Sequence, residues 1–288
     1  MTKDKIRVVI IGYGTVGKNL SKELEVLEPD IFDRRPNPDS VLGLELYHTN
    51  IDTRKCRLKD DGTTEPLTYD VAFICVDTPC TDESVCDTTQ VKMAIEETPA
   101  KVYVIKSTVL PQTTKHLNEE FEAKSYREFG DDSHKKHIIF SPEYYGATQH
   151  CNNFNFNFTI LGGDKEDCLK VQQVLQHVYD ARHTFRIVDS TTAELAKYME
   201  NCWIATKVSF CCNFSDIAKM YDANYETLRE LFILDPRVNP SHTFVYDEKP
   251  YWSSHCLDKD VNAIAEASDN DFLKFIINFN NKSKNKNP

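Results

Sequence analysis

Short continuous apolar runs, IRVVII, DVAFICV, KVYV, HIIF, FTIL and FRIV, punctuate the first two thirds of the chain. Most are followed by a polar turn and then by a stretch in which apolar positions return every three or four residues. Continuous runs of that length suit parallel strands covered on both faces, and the three-to-four spacing suits helices packed on them. The pattern predicts strands over 6–11, 30–33, 70–76, 101–107, 137–140, 158–163 and 185–188, with helices over 18–27 and 166–178 and another after VLPQTT. Such alternation defines an α/β fold with a doubly wound parallel sheet. From 34 to 68 the pattern fades among Pro36, Pro38, Gly43, Gly62 and Pro66, where short irregular elements are expected.

Beyond the last strand the period becomes purely helical. Residues 191–223 contain no glycine or proline, and Thr191 with Glu194 has the spacing of a capping box. Asn224 is placed to end the helix in the left-handed conformation. The result is one helix of roughly 45 to 50 Å, with apolar residues on more than one stripe, so that more than one side is expected to be covered. A helix of this kind joins two bodies or two subunits. Lys197 and Asn201, four apart on one face, set an ammonium beside a carboxamide, a pair suited to gripping an oxygen that gains negative charge. A short amphipathic helix and a long loop follow, then a helix with Cys256 at its start, where exposed amides are expected to lower a thiol's pKa. The polar end NNKSKNKNP reads as a frayed tail. The chain thus divides into a Rossmann-type domain, 1–189, and a region of 190–288 built from the central helix and a small helical part for dimerisation and substrate.

Composition narrows the classes. A chain of 288 residues is long enough for a large core. No apolar run approaches membrane-spanning length and no signal-peptide pattern precedes the first strand, which predicts a soluble, cytoplasmic protein without a membrane partner. Ten cysteines in that setting read as reduced thiols. The net charge of -11 argues against an extended nucleic-acid surface. Cys75, Cys80 and Cys86 cluster loosely, without a C-x-x-C pair or a nearby histidine, so no metal site is expected.

The strongest local signal follows the first strand. Gly12, Gly14 and Gly17 fit G-x-G-x-x-G, with one glycine for the tight turn, one for close approach to a pyrophosphate and one for helix packing. Asp33, 21 residues after Gly12 at the end of the second strand, is placed to hold a ribose 2'-hydroxyl. That favours NAD, although Arg34 and Arg35 would also suit the 2'-phosphate of NADP. Thr108 and Glu143 lie just past later strands, where ligands bind in open α/β sheets, and they equally suit a turn hydroxyl and a helix-capping acid.

Taken together, GYGTVG, VDTP, KSTVLPQTT, SPEYYG, ELAKYMEN and CLDKD, in this order, resemble the UDP-glucose and GDP-mannose 6-dehydrogenase family over nearly the whole chain. The resemblance implies a cytoplasmic dimer that oxidises the C6 alcohol of a nucleotide sugar to a carboxylate with two NAD in succession, for polysaccharide biosynthesis. It implies Cys256 as nucleophile, with Lys197 and Asn201 stabilising oxyanions. Asp260 and Thr108 would activate water, and Glu143 would assist thioester hydrolysis. Gly12, Gly14, Thr15, Val16, Gly17, Asp33, Thr78 and Thr108 would face the cofactor. Glu143, Tyr144, Lys197, Asn201 and Arg237 would face the sugar, Arg237 that of a neighbouring subunit. Ser253, Ser254 and Asp258 stand where the family usually has paired glycines and a proline, and Asp77 stands where it has a small residue or proline. Only 28 residues follow Asp260, so the chain reads as a short form without most of the family's C-terminal nucleotide-sugar domain. Two other readings stay open: a β-hydroxyacid dehydrogenase, which makes one two-electron oxidation without a cysteine nucleophile, and a catalytically silent NAD-binding partner subunit.

Overall fold

A computed structural model describes residues 6–33, 56–58, 64–66, 68–79, 86–144 and 156–286. The expectations for Arg34, Arg35 and Cys80 lie outside these residues. The strands are β1 (Val8–Ile11), β2 (Asp30–Phe32), β3 (Cys56–Leu58), β4 (Thr64–Pro66), β5 (Tyr69–Ile74), β6 (Ala100–Ile105), β7 (Ile138–Phe140), β8 (Phe158–Gly162) and β9 (Thr184–Val188). The helices are α1 (Thr15–Glu23), α2 (Thr89–Glu97), α3 (Thr113–Phe129), α4 (Lys165–Leu175), α5 (Ser190–Met220), α6 (Tyr225–Phe232), α7 (His255–Ala267) and α8 (Asp271–Lys286).

Seven strands form one sheet in the order β2-β1-β5-β6-β7-β8-β9, and β3 pairs antiparallel with β4 apart from it. The sheet is parallel except where β8 runs against β7 through Phe140 and Gly162. Successive side chains of a strand point to opposite faces, and both faces here are apolar. Val9, Ile11, Ala72, Ile74, Tyr103 and Ile105 pack with Val91 and Ile95 of α2 and Leu117 and Phe121 of α3. Val8, Ile10, Val71, Phe73, Val102 and Val104 pack with Leu20 of α1 and Cys168, Val171 and Leu175 of α4. Full burial of one such side chain is worth about 1.5–3 kcal/mol. This two-sided cover explains why the strands read as unbroken apolar runs. It is the doubly wound architecture that the alternation predicts.

The chain divides into two compact units, Met1–Pro79 with Asp87–Leu195, and Cys80–Cys86 with Ala196–Pro288. The boundary falls inside α5. No helix among the described residues is long and apolar enough to cross a membrane.

Several local expectations are corrected. The cap of α5 is Asp189, whose carboxylate accepts from the Thr192 amide at 2.9 Å and the Thr192 hydroxyl at 2.6 Å. Glu194 does not close a capping box. It is buried, and its two oxygens accept from the amides of Gln112 (2.6 Å) and Thr114 (2.9 Å) and from the Thr114 hydroxyl (2.6 Å), so it caps α3 instead. At the other end Asp222 takes the left-handed turn (φ 55°), and Asn224 caps α6 by accepting from the Thr227 amide. The polar end of the chain is not frayed: α8 runs to Lys286. Of α5's surface, the stripe with Tyr198, Asn201, Ala205 and Ser209 is buried, whereas Met199 (78%) and Trp203 (61%) are exposed with Leu195, Phe210 and Phe214. Apart from Tyr198, that buried stripe is made of small and polar side chains.

Candidate active site

The glycine turn leaves β1 and enters α1. Gly12 has φ 97°, and a Cβ there would lie 2.5 Å from the Cys75 carbonyl oxygen; one on Gly17 would lie 2.0 Å from the Gly12 carbonyl oxygen. Both positions therefore require glycine, the first for the turn and the second for helix packing. At Gly14 nothing lies within 4 Å, so that glycine opens onto free space. Gly14 is also the N-cap of α1, with no side-chain cap and no acid in the first turn, where Thr15, Val16 and Gly17 lie. An uncapped helix start with room in front of it suits a pyrophosphate. A cavity of about 180 Å³ opens beside it, with Gly12, Gly14, Asp33, Val76, Asp77 and Met93 among its lining residues. Asp33 is oriented by the Tyr13 amide, which donates to it at 2.6 Å. These residues fit a dinucleotide with a free ribose 2'-hydroxyl.

Two loops at strand ends complete this unit's polar groups. Thr78, buried after β5, donates to the Thr108 carbonyl oxygen at 2.8 Å, and Ser107 donates to the Val76 carbonyl oxygen at 2.6 Å. Glu143 follows β7. Its carboxylate lies 3.1 Å from the buried ammonium of Lys106 and accepts from the Tyr144 amide at 2.9 Å. Lys106 also donates to the Ser141 hydroxyl at 3.2 Å. Lys106 is a residue the sequence reading passed over, because a lysine at the end of an apolar strand carries no periodic signal.

The second unit gathers most of the remaining candidates between α5 and α7. Asn201 and Asp260 are both buried, Asp260 only 1% exposed, and the Asn201 amide donates to Asp260 Oδ2 at 2.6 Å. Lys259 Nζ forms an ion pair with Asp260 Oδ1 at 2.9 Å. Lys197 Nζ pairs with Glu200 Oε2 at 2.7 Å. Cys256 is exposed near the start of α7, four residues before Asp260 and therefore on the same helix face.

The thiol's electrostatics reverse one expectation. Cys256 is held above the ordinary thiol range, first by the protein packed against it, then by the Asp260 carboxylate, with Glu200 adding to both; Lys197 and Lys259 pull the other way. The helix start does not prevail, because the local carboxylates and the loss of water outweigh it. Nearby Cys202 is pushed up to about 11, by burial and then by Asp260. Arg237 is not brought to this cluster: it is paired with Asp235 on an exposed turn. Glu143, Tyr144, Thr108 and Thr78 belong to the other unit. Among the described residues no group of histidine, cysteine and carboxylate side chains is placed to hold a metal.

A mostly parallel sheet with a glycine-turn cofactor cradle between its first strand and first helix defines a Rossmann-type dinucleotide-binding protein. Family profiles place it further. The profile of the UDP-glucose/GDP-mannose dehydrogenase family, NAD binding domain, matches residues 42–183, and that of the family's central domain matches residues 191–285. The chain belongs to the UDP-glucose/GDP-mannose dehydrogenase family, and NAD is the cofactor of its first domain.

The chain is 26% identical over 283 residues to a UDP-N-acetyl-D-mannosamine dehydrogenase of Methanocaldococcus jannaschii, covering 92% of this chain and 62% of that one. It is 26% identical over 290 residues to a GDP-mannose 6-dehydrogenase of Azotobacter vinelandii, covering 90% and 64%. A UDP-glucose dehydrogenase structure from Pyrobaculum islandicum has the same fold, with a TM-score of 0.74 at 20% identity over 98% of this chain and 69% of that one. The chain thus spans somewhat under two thirds of the length of these two curated relatives.

Proposed function

We propose that the protein is an NAD-dependent nucleotide-sugar 6-dehydrogenase that carries the sugar's C6 alcohol to the carboxylate in two oxidations. The observation that carries this reading is the grouping of Cys256 with Lys197, Asn201, Lys259 and Asp260 around one buried carboxylate. A simple alcohol dehydrogenase has no use for a nucleophilic thiol there. Bound at the glycine turn, NAD supplies the hydride acceptor for both oxidations. The chain's own groups do the rest. As the first hydride leaves C6 for NAD, the alcohol proton passes to a water ordered by Asp260 and Thr108. The Cys256 sulfur adds to the aldehyde carbon as its proton passes to the aldehyde oxygen, forming a thiohemiacetal; once that proton passes on to water, the oxyanion is stabilised by Lys197 and Asn201. Loss of the second hydride gives the thioester. Water activated by Glu143 attacks the acyl carbon, the C–S bond breaks, and the thiol and uronic acid are released.

Gly12, Gly14, Thr15, Val16, Gly17, Asp33, Thr78 and Thr108 form the cofactor side of the reading, and Glu143, Tyr144, Lys197, Asn201 and Arg237 the sugar side, with Arg237 serving a partner subunit. The exposed stripe of Leu195, Met199, Trp203, Phe210 and Phe214 supports a homodimer built on α5. The named relatives act on UDP-N-acetyl-D-mannosamine and GDP-mannose. The test is therefore incubation with NAD and each of UDP-glucose, GDP-mannose and UDP-N-acetylmannosamine, with products identified by mass spectrometry. A uronic acid from at least one of them is expected. Absence of any acid from all three rejects the reading.

A further inference from the structure

The run that precedes the thiol, Tyr251 to Ser254, lacks the paired glycines usual for the family, and the second unit shows what holds it instead. Ser254 caps α7 by accepting from the Leu257 amide at 3.0 Å, and Asp258 returns the bond, its Oδ2 accepting from the Ser254 amide at 2.8 Å. The other oxygen of Asp258 pairs with Lys284 from the last turns of α8, and the Lys284 ammonium lies 5.4 Å from the centre of the Trp252 ring. One turn earlier on α8, buried Asn280 holds Trp252 by both backbone groups: the Trp252 amide donates to Asn280 Oδ1 at 2.9 Å, and Asn280 Nδ2 donates to the Trp252 carbonyl oxygen at 2.9 Å. The Trp252 indole donates to Ser209 of α5 at 3.0 Å.

We infer that Asp258 is a positioning residue for Cys256, the hub of a clamp through which α8 fixes the nucleophile's loop and the first turn of α7. Asp258 bonds both to the loop ahead of Cys256 and to α8. With the clamp closed, the thiol is held in the first turn of α7, on the helix face that carries Asp260. With the clamp broken, the first turn of α7 frays and the thiol leaves its fixed place beside the Asp260 carboxylate. The reactivity of the thiol is independent of the reaction assigned to it; only the consequence for turnover rests on the proposed function.

The test is alkylation of Cys256 by iodoacetamide across pH, followed by peptide mass spectrometry of the full-length chain, for wild type, Asp258→Ala, Asp258→Asn and Lys284→Met. Loss of a hydrogen bond of this kind raises fraying about fivefold, so Asp258→Ala is expected to be alkylated about fivefold faster at neutral pH. Its pH midpoint should fall toward that of an ordinary cysteine. Asp258→Asn, which keeps an acceptor for the Ser254 amide, should lie between it and wild type, and Lys284→Met should follow Asp258→Asn. With a substrate that turns over, kcat should fall in the same order with KM little changed. A folded Asp258→Ala variant, judged by circular dichroism, with the wild-type rate and midpoint overturns the inference. Altered alkylation in a protein whose wild type turns over no nucleotide sugar upholds the clamp and rejects the reaction.

Discussion

At the scale of single residues, the site is a contest between burial and charge around one sulfur. Asp260 is buried beside Asn201 and raises the Cys256 thiol, while Lys197 and Lys259 lower it. The sign is testable. Asp260→Asn removes a negative charge that disfavours the thiolate, so the Cys256 alkylation midpoint should move to lower pH, and a midpoint that stays or rises contradicts the assignment. Wild-type stability carries the opposite signature at alkaline pH. Because the folded thiol titrates above the unfolded one, the Cys256 contribution is complete below the unfolded pKa and is lost as pH rises through the folded value. The Cys256→Ser variant should lack that loss in alkaline denaturation curves compared with wild type. Cys256, Asn201 and Asp260 were legible because their motifs fix their spacing within helices. The sense of the thiol's shift was not, because it depends on a carboxylate brought near it by the fold and on how much water is excluded.

At the scale of elements, the strands and helices followed from apolar spacing, since two covered sheet faces leave unbroken runs such as DVAFICV and packed helices leave a three-to-four period. Caps were less legible, because a capping acid may serve a helix far away in sequence. Glu194 has the spacing to cap its own helix but satisfies the amides at the start of α3, some 80 residues earlier. Glu194→Gln replaces one acceptor oxygen by a donor facing a backbone amide, and should cost about 1–3 kcal/mol in chemical denaturation. A value within a few tenths of wild type would show that α3 is capped otherwise. The C-terminal polar run failed for a related reason: within it Asn280 and Lys284 hold α8 to the nucleophile's loop through polar contacts, which no apolar periodicity marks.

At the scale of the whole molecule, α5 leaves a row of large apolar side chains uncovered, which a second copy of the chain would bury. Met199→Glu with Trp203→Glu should convert a dimer to a monomer in sedimentation equilibrium, with the cofactor cradle intact by NAD titration. A wild type that sediments as a monomer contradicts the dimer. The order of the motifs made the family legible from the sequence, whereas the sugar was not, since relatives of equal identity carry names with different sugars. The central claim is that one cysteine couples two oxidations. Its most direct test is the yield of NADH per nucleotide sugar consumed, for wild type and Cys256→Ser. Two NADH per sugar from wild type, lost in Cys256→Ser, is the predicted result; one NADH per sugar from wild type, or two from both proteins, would contradict it.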